Sequence, residues 1–119
     1  MKTVTVYASA ARTATPTAVT LPAGRYNYLN LTIDATAVTA TPSVVVTVDA
    51  LDPVSGKYYN LLTSAAITAV STTVLRIGPT LTAVANLAAN ASLPDTIRVT
   101  MTHGDADSIT YSVGAALMD

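Results

Sequence analysis

Few side chains in this chain are built for chemistry, and only one of them is an imidazole, His103. With Ser and Asp also present, a Ser-His-Asp arrangement is formally possible, but no Ser stands in a Gly-x-Ser-x-Gly elbow. His103 shares its parity with Ile97, Val99 and Met101, so it is expected at the edge of a core, where its strand runs into a turn, in a structural role. Asp105 and Asp107 form an Asp-x-Asp pair, the kind of carboxylate spacing a hard cation favours on a loop. Such a cation takes about six to eight oxygens, and the spacing of a calcium loop is missing, so the pair reads as turn residues. Asp49 and Asp52 flank a strand end and are expected to pair with Lys57 or Arg76 on a neighbouring strand. The glycines are scattered and form no phosphate-binding loop. The chain has no Cys, so disulfides and thiolate metal sites are excluded. These readings leave no catalytic residue, no cofactor site and no metal ligand set, and the expectation is a protein that is not an enzyme.

What remains is recognition. Tyr26, Tyr28, Tyr58 and Tyr59 carry an apolar face and a polar tip, the combination that favours interfaces and sugar platforms. Tyr26 and Tyr28 share parity with Asn30 and are expected on the outer face of their strand. Tyr58 and Tyr59 are adjacent, point to opposite faces, and one of them is expected in the core. The uncharged Thr- and Ala-rich stretches Ala14 to Val19 and Thr80 to Leu93 suit close packing against a neighbour, because Ala and Thr lose little entropy when immobilised. The contact residues expected from these features are Tyr26, Tyr28, Tyr58, Thr80, Leu81 and Leu87. Asn30-Leu31-Thr32 and Asn90-Ala91-Ser92 match the glycosylation sequon but carry little meaning without a secretory signal.

Strands must position these residues. Val and Thr dominate, and both are stiff at χ1 in a way that suits a pleated sheet. Apolar and polar residues alternate with period two at Val4 and Val6, at Leu29, Leu31 and Ile33, and at Val44, Val46 and Val48. They do so again at Leu75 and Ile77, at Ile97, Val99 and Met101, and at Ile109, Tyr111 and Val113. Each set predicts one apolar row on a core face, with hydroxyls on the other. Leu21-Pro22-Ala23-Gly24 reads as a turn before a strand. Asp52-Pro53-Val54-Ser55-Gly56 is the sharpest turn signal and predicts a hairpin from Leu51 to Lys57. His103 to Ser108 predicts a second hairpin between the last two strands. Gly78-Pro79 ends the strand at Ile77. Pro79 to Pro94 predicts a long loop with a short helix, and Thr13 to Val19 and Ala35 to Pro42 are further soft regions. About seven to nine short strands with turns every ten residues or so describe an all-β fold, a single antiparallel β-sandwich or jelly roll spanning residues 1–119.

Composition narrows the setting. The 119 residues suit one domain. Charged residues make up 11 %, against about 25 % in an average domain, and the net charge of −1 offers no basic stripe for nucleic acid. No window approaches the roughly 20 consecutive apolar residues of a membrane-spanning helix, and Met1 to Arg12 reads as a first strand rather than a leader. A surface with so little charge favours association.

From Val44 onward the sequence resembles small β-sandwich proteins encoded among the structural genes of tailed bacteriophages and prophages. The resemblance lies in Asp52-Pro53-Val54-Ser55-Gly56-Lys57-Tyr58-Tyr59, Ala65-Ala66-Ile67, Ile97-Arg98-Val99 and Asp107-Ser108-Ile109-Thr110-Tyr111-Ser112-Val113-Gly114. It covers roughly the last two thirds of the chain. It implies a virion component made in the bacterial host cytoplasm: a capsid decoration (cement) or minor head protein that binds the major capsid protein or other virion proteins through loops and edge strands, often as a homotrimer on the capsid surface. A tail or neck component is the close alternative. A carbohydrate-binding module is the alternative from another class.

Overall fold

The computed structural model describes residues 1–119. The alternating segments form nine strands and no helix: β1 (Lys2–Arg12), β2 (Val19–Pro22), β3 (Tyr28–Val38), β4 (Val44–Leu51), β5 (Tyr58–Thr63), β6 (Ser71–Gly78), β7 (Ala88–Asn90), β8 (Thr96–His103) and β9 (Ile109–Met118). One sheet runs β1-β9-β3-β6-β7 and the other β2-β8-β4-β5. With the short β7 set aside, the pairs β1 with β9, β2 with β8, β3 with β6 and β4 with β5 are nested. The chain is therefore one long hairpin rolled into two sheets, a β-sandwich of jelly-roll connectivity. Every ladder is antiparallel except that of β6 with β7.

The predicted alternation is realised almost residue by residue. Leu29, Leu31 and Ile33 of β3, Leu75 and Ile77 of β6, and Ile109, Tyr111 and Val113 of β9 are buried on one inner face. Val44, Val46 and Val48 of β4 and Ile97, Val99 and Met101 of β8 are buried on the other, and all join one core of 23 residues. Burying each such side chain stabilises the fold by about 1.5–3 kcal/mol before entropy is counted. The intervening Thr32, Thr47 and Thr100 face outward, so each hydroxyl keeps water as a partner. In β1 the period fails. Register shifts between Thr5 and Tyr7 and between Tyr7 and Ala10 turn both Val6 and Tyr7 inward.

The turn at Asp52 is as predicted. Gly56 takes a φ of +73°, its amide donates to the Asp52 carbonyl, and the Asp52 amide donates to the Lys57 carbonyl. The second predicted hairpin is not formed. β8 lies between β2 and β4, and β9 lies between β1 and β3 in the opposite sheet. Turn residues specify a reversal but not which sheet the next strand joins. Both β8 and β9 carry a full apolar row, and placing them in facing sheets buries both. The short helix expected in Pro79 to Pro94 is also absent. Thr80 and Asn86 have φ of 66° and 65°, a left-handed backbone that no helix passes through. The segment instead returns along β6 and adds β7 beside it. Part of the soft region ending at Val19, and half of the expected Leu21–Gly24 turn, belong to β2, whose pairing with β8 supplies order that local sequence does not. β3 extends to Val38, past the expected start of a soft region at Ala35, through a bulge between Ala35 and Ala37.

Candidate assembly surface

Charge is unevenly placed on this fold. Residues 58–94 carry a single ionisable charge, Arg76, while the chain has 13 charged side chains in all. This stretch supplies β5, the Ser64–Val70 connection, β6, the Pro79–Leu87 loop and β7. Four of the six exposed large hydrophobic residues also fall within it: Val70 (61 % exposed), Tyr59 (54 %), Val84 and Leu87 (47 % each). β5 closes one side of the four-stranded sheet and β7 the same side of the five-stranded one, and the two strands are in contact there. On that side the chain forms an apolar groove of about 360 Å³, bordered by Ala65, Ala66, Ala69, Ala85, Asn86 and Leu87. Charge depletion around exposed apolar side chains is the signature of the interior of a protein–protein contact.

Local interactions fix the shape of this side. The Thr80 amide donates to Asn90 Oδ1 at 3.1 Å, and the Arg76 amide donates to the Leu87 carbonyl at 3.0 Å. The amides of Leu87 and Ala88 both donate to the Val84 carbonyl. A β-branched Thr in the left-handed region is strained by about 1–3 kcal/mol, and such strain persists only where the surroundings impose it. The loop is thus a defined shape that presents Val84 and Leu87 outward.

There are also two polar clusters, the first of them on the outer face of β5 itself. On the outer face of the four-stranded sheet, Arg98 pairs with Asp49 at 3.3 Å, and its guanidinium stacks 3.8 Å from the centre of the Tyr58 ring. Asn60 donates to the other Asp49 oxygen at 3.2 Å. This corrects the expected partners of the carboxylates. Asp49 meets Arg98 because the β4–β8 register sets the two opposite each other. Asp52 meets neither Lys57 nor Arg76: it accepts from the Ser55 hydroxyl and the Val54 amide within its own turn, which holds its carboxyl below the usual range.

The second cluster contains His103. Its Nε2 lies 3.0 Å from the Tyr111 hydroxyl. The Arg12 guanidinium sits 4.6 Å from the centre of the Tyr111 ring and 5.4 Å from that of Tyr7, and donates to the Tyr111 carbonyl at 2.8 Å. Tyr7 donates to the Thr17 carbonyl at 2.6 Å. Burial, seconded by the Arg12 charge and opposed by Asp105, holds the His103 ring below its ordinary range. Burial pushes the Tyr111 phenol up to about 12, against Arg12 and with Tyr7. At neutral pH the cluster therefore holds an uncharged imidazole and an uncharged phenol. It ties β1 and β8 to β9, in keeping with the structural role expected for His103.

The six expected contact residues do not form one patch. Leu87 borders the apolar groove, and Thr80 (exposed) and Leu81 (half-buried) lie on the same loop. Tyr28 packs over Gly78 at the end of β6. Tyr26 is half-buried against the core and borders a separate concavity of about 590 Å³ with Lys2, Arg25 and Asp95. Tyr58 lies beneath Arg98. Neither Tyr58 nor Tyr59 is in the core, contrary to expectation, because β5 is an edge strand and a register shift beside Leu61 carries Tyr59 past the end of the buried row. Tyr59, Ala66, Val70 and Val84 also stand on this side and were not among the six. A signal for them was present, two runs of 18 residues without a charge (Tyr58 to Leu75 and Ile77 to Pro94) separated only by Arg76. No protein-family model matches the chain, and no curated protein or solved structure is significantly similar to it.

Proposed function

We propose that this chain is a non-enzymatic structural component of a tailed-bacteriophage particle, a capsid decoration or minor head protein that binds other virion proteins. The observation that carries the reading is the charge-depleted side formed by β5, β6, β7 and their loops, with Tyr59, Val70, Val84 and Leu87 exposed on it. A surface of this kind serves a protein that works covered by others. The resemblance of residues 44–114 to phage structural proteins supplies the setting, and jelly-roll connectivity is compatible with it, since capsid and lectin domains both use that architecture. Arg98 occupies one face of the Tyr58 ring, which weakens Tyr58 as a sugar platform.

The test is co-sedimentation of the purified chain with phage heads and, separately, with isolated tails. Saturable binding to heads, lost on Leu87→Glu, is expected. Binding to tails alone would move the protein to the tail or neck. Failure to bind either, together with glycan binding that vanishes on Tyr58→Ala, would overturn the reading in favour of a carbohydrate-binding module.

A further inference from the structure

The sandwich has four edge strands, β1 and β7 in one sheet and β2 and β5 in the other. An edge presents a row of unpaired amides and carbonyls that accepts a partner strand unless something blunts it. Three of the four are blunted. β1 is broken by two register shifts and ends in Arg12, which caps the carbonyls of Ala8 and Ala10 on its own strand at 2.7 and 3.1 Å. β2 has four residues and ends in Pro22, and β7 has three residues. β5 has six residues, Tyr58 to Thr63, without a charge or a proline among them, and a single register shift, beside Leu61, against the two in β1. It makes no backbone hydrogen bond outside its ladder with β4. The Asn60 amide reaches one of its carbonyls, that of Leu62, at 3.3 Å.

We propose that β5 pairs with β5 of a second copy of this chain, antiparallel across a two-fold axis. The inference deepens the assembly reading above by naming its self-contact. Three observations select a second copy as the occupant. A two-fold axis makes identical edge strands antiparallel, the mode of every ladder in this fold except β6 with β7. β5 itself carries no charge, and the charges beside it, Asp49 and Arg98, are already paired with each other, so two copies meet edge to edge with little like-charge repulsion and a charged partner finds little to complement. Tyr59, on β5 itself, is 54 % exposed, an aromatic ring that a facing molecule would cover. Pairing joins the two four-stranded sheets into one of eight, in the order β2-β8-β4-β5-β5-β4-β8-β2.

Light scattering after size exclusion reads the outcome on the full chain. A mass of about 24 kDa is expected, twice the 12.2 kDa chain, falling to 12.2 kDa in Tyr59→Lys. Because the chain has no Cys, single cysteines give a second reading that does not rely on a disruptive variant. Tyr59→Cys or Asn60→Cys should form a disulfide-linked dimer at least tenfold faster than Thr20→Cys, whose parent side chain is exposed on β2 at the opposite edge of the same sheet. A monomer at every concentration, a mass of three chains, or crosslinking no faster than that of Thr20→Cys would overturn the pairing. A monomer that still sediments with particles overturns the pairing alone. A β5-linked dimer that binds no particle overturns the particle reading alone.

Discussion

Ser64 takes both backbone groups of Val46: its Oγ accepts the Val46 amide at 2.9 Å, and its own amide donates to the Val46 carbonyl at 2.8 Å. The same hydroxyl donates to the Ala65 carbonyl at 2.9 Å. The chain has left β5 at this point, yet a side chain continues the ladder with β4, and this is how the one buried polar side chain in the core region is satisfied. Ser64→Ala leaves the Val46 amide buried without its acceptor. A loss of about 1–3 kcal/mol is expected in urea unfolding, with an unchanged slope.

Val46 is fully buried at the centre of β4. Val46→Asp places an unpaired carboxylate there, and the expected cost exceeds about 4 kcal/mol, enough to unfold a domain of ordinary stability. Circular dichroism at 25 °C should show loss of the β signal. Unchanged melting would mean that the Val44–Val46–Val48 row does not face the core.

Gly78 sits under the Tyr28 ring, where an added Cβ would run into Cδ1 and Cε1 of that ring. Gly78→Ala is expected to cost about 1–3 kcal/mol by pushing the ring away. The cost should shrink in a Tyr28→Ala background, because the obstacle is a side chain and not backbone. A double-mutant cycle measures this coupling, and additive effects would show that the glycine is needed for another reason.

Stability should fall on both sides of neutrality through the His103–Tyr111 pair. The folded pKa of His103 is depressed, so stability is fully present above the ordinary value of 6.5 and is lost as pH falls through the folded value. The folded pKa of Tyr111 is raised to about 12, so stability is fully present below the ordinary value of 10.0 and is lost as pH rises from there through 12. The melting temperature should be flat between these limits. His103→Gln should flatten the acid limb between pH 6.5 and the range where carboxylates protonate, and Tyr111→Phe should reduce the alkaline limb, leaving the part that the buried Tyr7 phenol, also raised, supplies. An acid limb unchanged in His103→Gln would place the titrating group elsewhere.

The inner rows of β3, β4, β6, β8 and β9 were legible in the residues themselves, because strand periodicity is local and a two-residue repeat of Val, Ile and Leu against Thr declares which side is apolar. The Asp52–Gly56 reversal was legible for the same reason, since Pro and Gly act on their own φ angles. The tertiary structure alone decided which strands pair. Lys2 lies beside Leu117, and Asp49 meets Arg98 rather than Lys57, because pairing is settled by which apolar rows bury each other across the core, at sequence separations no local pattern encodes. The same choice sent β8 and β9 to opposite sheets despite a hairpin-like turn between them. It also made β5 an edge, leaving Tyr58 and Tyr59 outside the core and gathering two charge-free runs of sequence on one side of the molecule. The absence of charge was written in the chain, but its concentration on a single side, next to the least protected edge strand, came from the roll of the sheets.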